Sequence, residues 1–121
     1  MQNDVLDKFG ESLMVNVRDY SITQWNKTIN GQLKGETAQR IRPMISELSG
    51  DQKEILLSLV PEIVDTVLHH LLVLLEQDED INVEVAAEGE RMSSLREASD
   101  GLAGELYTED GWIARFSRQI K

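Results

Sequence analysis

The sequence contains no cysteine, two prolines and only two residues each of Trp, Tyr and Phe among 121. The absence of cysteine excludes disulfides, thiolate nucleophiles and zinc sites with cysteine ligands. Because aromatic rings are few, a hydrophobic core must be built mainly from Leu, Ile and Val. A chain of this length is typical of one domain and can bury a core without disulfide or metal support. We therefore predict a single domain over residues 1–121.

Two further absences concern location. The first residues, MQNDVLDKFGE, lack the basic and apolar regions of a secretory signal. No uninterrupted apolar run approaches the roughly 18 residues of a membrane span. The longest run, residues 71–75, ends at Glu76. These features predict a cytoplasmic protein without membrane association.

Positive charge is missing from one long segment. The formal net charge is −10, but the first 50 residues carry six acidic and six basic residues, so the excess lies after Gly50. Residues 54–90 contain ten acidic residues and no Lys or Arg. Such a chain is not suited to bind nucleic acid, so a partner bound by charge would be basic. One alternative is a solvated acidic face that keeps the protein soluble. Another is that the acidic segment faces the basic C-terminal tail of its own fold or of a second copy.

Apolar residues recur at helical spacing from the start of the chain to about Gln77. Pro43 is expected to kink the third helix or to delay its start to about Arg42. Pro61 is expected to divide residues 51–77 into two helices, of which the second is the central helix of the core. The predicted N-caps are Asn3 or Asp4, Ser21, Thr37 and Ser49, and Ser21 and Ser49 each begin a capping box with a later Gln.

At Ile81 the hydrophobic period changes to two, and residues 81–86 are predicted to form a half-buried strand. Residues 102–108 and 112–117 flank Asp110-Gly111, a pair that suits a tight type I′ turn, and are predicted to form a C-terminal hairpin. The predicted fold is therefore α+β, with four to five helices followed by a small antiparallel sheet of about three strands.

Three residues on the predicted central helix could contribute to a metal site. Glu62, Asp65 and His69 are spaced i, i+3 and i+7, which resembles half of a carboxylate–histidine site. A complete site needs ligands from a second helix, and an ordinary local pair between Asp65 and His69 is the alternative. The sequence has no nucleophile elbow, phosphate loop or dinucleotide fingerprint. We predict no catalytic residue, no metal and no cofactor.

The acidic segment and one aromatic residue define a predicted partner-binding surface. Trp112 follows the predicted hairpin turn, where an exposed indole could anchor a protein partner. The alternative is that Trp112 belongs to the core, as most tryptophans do. The predicted partner-binding residues are Glu76, Asp78, Asp80, Glu84 and Trp112.

In size, charge and composition over its whole length, the chain resembles the small acidic immunity proteins of bacterial toxin systems. These are single cytoplasmic domains, often α+β, that neutralise a toxin by binding it directly. The resemblance implies a non-enzymatic, immunity- or antitoxin-like protein that binds a basic partner through an acidic surface. Two other hypotheses stay open. One is a metal-binding or hydrolytic helical protein that uses His69, and the other is a homo-oligomer, such as a homodimer, built on the wide apolar helix.

Overall fold

The computed structural model describes residues 4–86 and 92–119. A helical fold with a small antiparallel sheet agrees with the predicted α+β class, although the sheet in these two ranges has two strands rather than about three. The elements are α1 (Asp4–Leu13), a π-helical segment (Met14–Asp19), α2 (Tyr20–Ile29), α3 (Glu36–Ser46), α4 (Gly50–Gln77), β1 (Glu84–Ala86), β2 (Met92–Ser94), two 3₁₀ helices (Arg96–Ala98 and Ala103–Leu106) and α5 (Trp112–Phe116).

The predicted C-terminal hairpin is wrong, because its two halves form the second 3₁₀ helix and α5. Gly111 has φ −78° and ψ 173° and precedes α5 as its N-cap. A type I′ turn needs positive φ at both central residues, so Asp110-Gly111 does not form one. Trp112 and Phe116 share a face in a helix, at i and i+4, as well as in a strand. In so short a segment the apolar pattern does not distinguish the two structures.

The strand predicted over residues 81–86 is confirmed only in its last part. β1 begins at Glu84 and pairs with β2, so that Glu84 lies opposite Ser94 and Ala86 opposite Met92. Before β1, the side chain of Asn82 accepts a hydrogen bond of 2.8 Å from the Ser94 hydroxyl. A side-chain contact thus extends the strand pairing beyond the backbone ladder.

The second helix does not begin anew at Ser21 as predicted, because the helix before it has not ended. We call the continuous helix formed by α1, the π-helical segment and α2 the first helix. α1, the π-helical segment and α2 follow one another without a break, and the Gln24 side chain donates to the Tyr20 hydroxyl instead of closing a capping box. Met14 and Ile22 are both fully buried although they are eight positions apart. In a regular α-helix their side chains would diverge by about 80°. A π turn contains more residues than an α-helical turn. The π-helical segment therefore takes up one extra residue between Met14 and Ile22, and both side chains face the interior.

The long helix α4 has defined caps at both ends. Its predicted start is confirmed, because the Ser49 hydroxyl accepts the Gln52 amide at 3.1 Å and the Gln52 side chain accepts the Ser49 amide at 2.9 Å. At the other end, the Arg96 guanidinium donates to the carbonyl oxygens of Leu75, Asp78 and Ile81. A cation at this end also interacts favourably with the helix dipole.

Neither proline ends its helix, so the delayed start at about Arg42 and the division of residues 51–77 into two helices are both wrong. α3 runs from Glu36 through Pro43, which lies on the exposed side, where solvent can reach the carbonyl that lost its amide partner. α4 runs through Pro61, which is buried. Buried side chains on both sides of Pro61, including Val60 and Leu68, hold the two halves of the helix on the core. Packing therefore overrides the local cost of the proline.

Two clusters of buried side chains lie along α4. The first joins α1, the C-terminal segment and the second half of α4, with Leu68 and Leu72 at its centre. The second joins α2, α3 and the first half of α4, and consists of Ile22, Ile29, Ile45 and Val60. Val64 contacts both clusters. Among the described residues the first cluster has eleven buried members and the second has four. Since burying a large apolar side chain contributes about 1.5–3 kcal/mol, the first cluster contributes more to stability, and α4 connects the two.

Gly10 provides the contact surface for α5. A Cβ atom added at Gly10 would lie 2.4 Å from Nε1 of Trp112. The Trp112 indole is 1% exposed, and its ring meets that of Phe9 edge-on with 5.8 Å between centroids. The glycine thus allows the indole to pack directly on the backbone of α1.

We expect Gly10→Ala to lower the free energy of unfolding by about 1–3 kcal/mol, because the indole must move to admit a methyl group. In an unobstructed helix the same change would stabilise by about 1 kcal/mol, so the sign of the effect reports the contact. Urea denaturation followed by tryptophan fluorescence measures it. Gly104→Ala is the matched control, since nothing lies within 4 Å of its added Cβ. Equal effects of the two changes would contradict the contact.

Candidate functional site

The exposed side of α4 carries a line of apolar side chains next to a line of polar ones, which are Glu54, Ser58, Glu62, Thr66 and His70. Five of its exposed apolar side chains follow one another at intervals of four residues and form a continuous line that winds about 160° around the helix from the first to the last. Single exposed apolar residues are ordinary, whereas a contiguous patch of them marks an interaction surface. The line and its extension, which we call the α4 stripe, consist of Ile55, Leu59, Ile63, Val67, Leu71 and Leu74, between 37% and 62% exposed.

An apolar groove of about 540 Å³ lies beside the first half of the stripe, between α2, α3 and α4. Ile29, Ile45 and Val60 line it and are buried. Trp25 and Met44 line it as well and remain 41% and 62% exposed. Ile63 belongs to both features, so the groove and the stripe form one apolar surface.

By length and composition alone, α4 is long and apolar enough to cross a membrane. An 18-residue window has a mean hydropathy of 1.5, and 22% of that window is buried. The sequence analysis did not indicate this window, because polar residues interrupt it and only uninterrupted apolar runs were compared with the length of a membrane span. Core helices of globular proteins share these properties.

Five acidic residues lie in the last turn of α4 and in the segment that follows it up to β1. We call them the acidic exit: Glu76, Asp78, Glu79, Asp80 and Glu84. Three of them, Glu79, Asp80 and Glu84, are exposed, and the other two are half-buried. The Asp78 carboxylate accepts the amide of Asp80 at 2.9 Å, which fixes the turn. The four predicted acidic residues of the partner surface thus lie in one stretch of chain, from the end of α4 to β1.

Two cations approach the acidic exit through backbone atoms. Lys8 donates to the carbonyl oxygen of Ala86 at 2.7 Å, and Arg96 donates to that of Asp78 at 3.1 Å. Within residues 4–86 and 92–119, no ion pair of 4.0 Å or less involves a carboxylate of the acidic exit. The exposed carboxylates therefore present their charge to solvent.

Trp112, the fifth predicted partner-binding residue, is not on this surface. The expectation of an exposed indole depended on the hairpin, whereas α5 turns the ring inward against α1. Only 1% of the residue is exposed. Trp112 is a core residue in this structure, which removes it from the candidate surface.

The three residues of the metal hypothesis lie on α4 but have separate surroundings. Asp65 accepts hydrogen bonds from Arg18. His69 Nδ1 lies 3.0 Å from the Tyr107 hydroxyl oxygen, and Glu62 is exposed. In the part of the chain that the structure describes, no group of three or more His, Asp or Glu side chains is arranged to hold a metal ion.

Arg18 forms a buried ion pair that the sequence patterns did not indicate. Its Nε and Nη2 atoms donate to the two carboxylate oxygens of Asp65 at 2.6 and 3.1 Å. Its Nη1 atom donates to the Ser117 hydroxyl at 2.7 Å and also to the carbonyl oxygen of Gln119. Arg18 is 1% exposed, so the guanidinium exchanges water for these acceptors.

Asp19, the next residue of the π-helical segment, extends the network to the C-terminal segment. Its carboxylate accepts the Ser117 hydroxyl at 2.5 Å and the Arg118 amide at 2.7 Å. The Gln119 side chain donates to the Thr23 hydroxyl at 3.0 Å. Residues 117–119 are therefore tied to the first helix through side chains, and Arg18 links the same point to α4.

Tyr107 places a phenol beside this network. Its ring is tilted against that of His69, with 5.9 Å between centroids. Burial raises the pKa of Tyr107 above its ordinary value of 10.0, and the negative charge of Asp65 raises it further. Both effects favour the protonated phenol in the folded protein.

We expect Arg18→Ala to lower the free energy of unfolding by about 3–5 kcal/mol, because it leaves Asp65 and Asp19 without their buried cation. Arg115→Ala is the matched control. Its pair with Asp7 has a comparable distance, 2.9 Å, but the two side chains are 40% and 42% exposed. Loss of this exposed pair should cost less than about 1 kcal/mol.

Urea denaturation of the two variants measures this difference. If Arg18→Ala does not fold, Arg18→Lys supplies the comparison, since it keeps the charge but loses the two-pronged contact. Similar losses of stability in the Arg18 and Arg115 variants would refute the central role of the buried pair.

The raised pKa of Tyr107 predicts a pH dependence of stability. As the pH rises above 10.0, the unfolded chain releases the phenol proton first, and the folded protein loses stability until its own pKa is passed. The favourable contribution is fully present below that range. Tyr107→Phe should therefore lose less stability than the wild type on going from about pH 9 to about pH 11. Urea midpoints across this range test it, and parallel profiles for the two proteins would contradict it.

No protein-family model matches the chain, and comparisons with curated proteins and with solved structures found no match. A functional assignment therefore rests on the chemistry of the described surfaces. Two surfaces require an explanation beyond folding. One is the acidic exit, and the other is the exposed apolar surface formed by the α4 stripe and its groove.

Proposed function

We propose that the chain is a non-enzymatic protein-binding domain that receives a basic partner on its acidic exit. The observation that supports this is the concentration of carboxylates at the end of α4, of which Glu79, Asp80 and Glu84 are exposed. Lys8 and Arg96 contact the same segment but bind backbone carbonyls. The negative charge thus remains available to Lys or Arg side chains of a partner.

The local backbone gives this surface a defined shape. Arg96 holds the carbonyl oxygens of Asp78 and Ile81, and the Asp78 side chain holds the amide of Asp80. A partner would therefore meet carboxylates whose backbone is already ordered, which lowers the entropic cost of binding. β1 continues from this turn and places Glu84 in a hydrogen-bonded ladder.

Long-range charge favours the same kind of partner. The net charge is −10, and residues 54–90 contribute ten acidic and no basic residues to it. Such an asymmetry accelerates encounter with a basic protein and disfavours acidic ones. The small size and the acidity are those of immunity proteins in bacterial toxin systems, so the proposed partner is a basic toxin that is neutralised by direct binding.

The combined change Asp80→Asn and Glu84→Gln is expected to weaken partner binding about tenfold, because it removes two exposed charges from the docking surface. Glu109→Gln with Asp110→Asn is the matched control, since it removes two exposed acidic residues outside the acidic segment. Each protein is immobilised, incubated with extract of the producing cells, and the retained proteins are identified and their affinity is measured.

A retained protein qualifies as the partner only if three conditions hold. It must be basic, its affinity must fall as NaCl rises from about 50 mM to about 500 mM, and the acidic-exit variant must lose it while the control variant keeps it. A partner whose affinity is indifferent to both salt and the acidic-exit change would refute the proposed function.

A further inference from the structure

The apolar surface of the α4 stripe and its groove is large enough for a dimer interface. Eight of its side chains, the six of the stripe with Trp25 and Met44, are between 37% and 62% exposed. At roughly 200 Å² for each fully exposed large side chain, they present roughly 800 Å², which is what each partner contributes to a standard interface. The largest apolar patch of an ordinary monomer is smaller, roughly 300–600 Å².

The stripe has the shape that pairs with its own copy. Helices pack by fitting ridges of side chains four residues apart into the grooves of a neighbour. Ile55, Leu59, Ile63, Val67 and Leu71 form such a ridge, and in a two-fold dimer the same ridge comes from both chains. Thus one surface supplies both halves of the interface, and no additional partner is required.

Charge sets the relative direction of the two helices. The acidic exit lies at the C-terminal end of α4, whereas the N-terminal end has mixed charge, with Lys53 between the exposed Asp51 and Glu54. Arg40 and Arg42 are exposed on α3, which packs beside the first half of α4. A parallel pair would bring two acidic exits together. An antiparallel pair keeps the two acidic exits apart and also aligns the helix dipoles favourably.

We propose that a second copy of this chain covers the α4 stripe and its groove, forming a two-fold symmetric dimer in which the two α4 helices are antiparallel. This dimer goes beyond the proposed function, because it uses the apolar face of α4 rather than the carboxylates beyond its end. The two proposals therefore fail or succeed separately.

Sedimentation equilibrium of the full chain tests the dimer. The wild type should reach twice its monomer mass of 13.7 kDa as its concentration rises. Ile63→Glu and Val67→Glu should weaken dimerisation at least about a hundredfold, because a carboxylate would be buried without a partner. Met92→Glu is the matched control, since Met92 is 54% exposed but lies on β2, outside the stripe. Urea denaturation of each variant checks that the fold is kept, as expected for exposed positions.

The absence of native cysteine allows the direction of the helices to be tested. Ile55→Cys and Leu74→Cys are mixed and treated with a short bismaleimide. In an antiparallel pair, residue 55 of one chain lies opposite residue 74 of the other, so the mixture should give a cross-linked product that contains both variants. Leu74→Cys alone should not cross-link, since its two thiols would be roughly 28 Å apart at 1.5 Å per residue.

Three outcomes would overturn this proposal. The first is a monomer at all concentrations up to about 1 mM, which is far weaker than interfaces of this size allow. The second is efficient cross-linking of Leu74→Cys alone, which would indicate a parallel pair. The third is co-flotation of the wild type, but not of Val67→Glu, with phosphatidylcholine vesicles, which would indicate that lipid covers this face. Replacing Asp80 and Glu84 should leave the dimer intact, which separates this result from that of the proposed function.

Discussion

The buried pair between Arg18 and Asp65 is the interaction on which the arrangement of the helices depends. A guanidinium that has left water must be met by acceptors on all sides, and in this fold the acceptors come from α4 and from residues 117–119. Within the described ranges, no buried side-chain nitrogen or oxygen lacks a hydrogen-bond partner. Each acceptor constrains a different part of the chain, so one side chain fixes the first helix, the central helix and the C-terminal segment relative to one another.

α4 is asymmetric around its axis, and this asymmetry connects folding with function. One side is buried in two successive cores that meet at Val64. The opposite side carries the α4 stripe, and the helix then ends at the acidic exit. A helix whose apolar surface is wider than one buried face is expected inside a large protein or an assembly. The fold covers only part of the apolar surface of α4, which is why the remainder is a candidate for association.

The sequence was sufficient for features with a local cause. Ser49 and Gln52 predicted the start of α4, and the run without Lys or Arg predicted the acidic exit directly. Features that depend on distant residues were not predictable: Asp65 is 47 positions from Arg18, and no spacing rule links them. The second half of α4 was predicted to be the central helix of the core, yet one side of it carries exposed apolar residues. The prediction of a C-terminal hairpin was wrong because the positions of Trp112 and Phe116 fit both the helical and the strand period.

The π-helical segment has a consequence for the length of the chain. It accommodates one residue more than regular winding would, and it thereby brings the buried faces of α1 and α2 into the same direction. A deletion of one residue between Met14 and Ile22 would leave these two side chains seven positions apart, only about 20° from the same direction in a regular α-helix. Regular winding would therefore still direct both cores toward α4. The deletion would instead remove the wide turn that carries Arg18 and Asp19, which bind Asp65 of α4 and Ser117. The length of this segment is thus constrained by the buried ion pair rather than by the two cores.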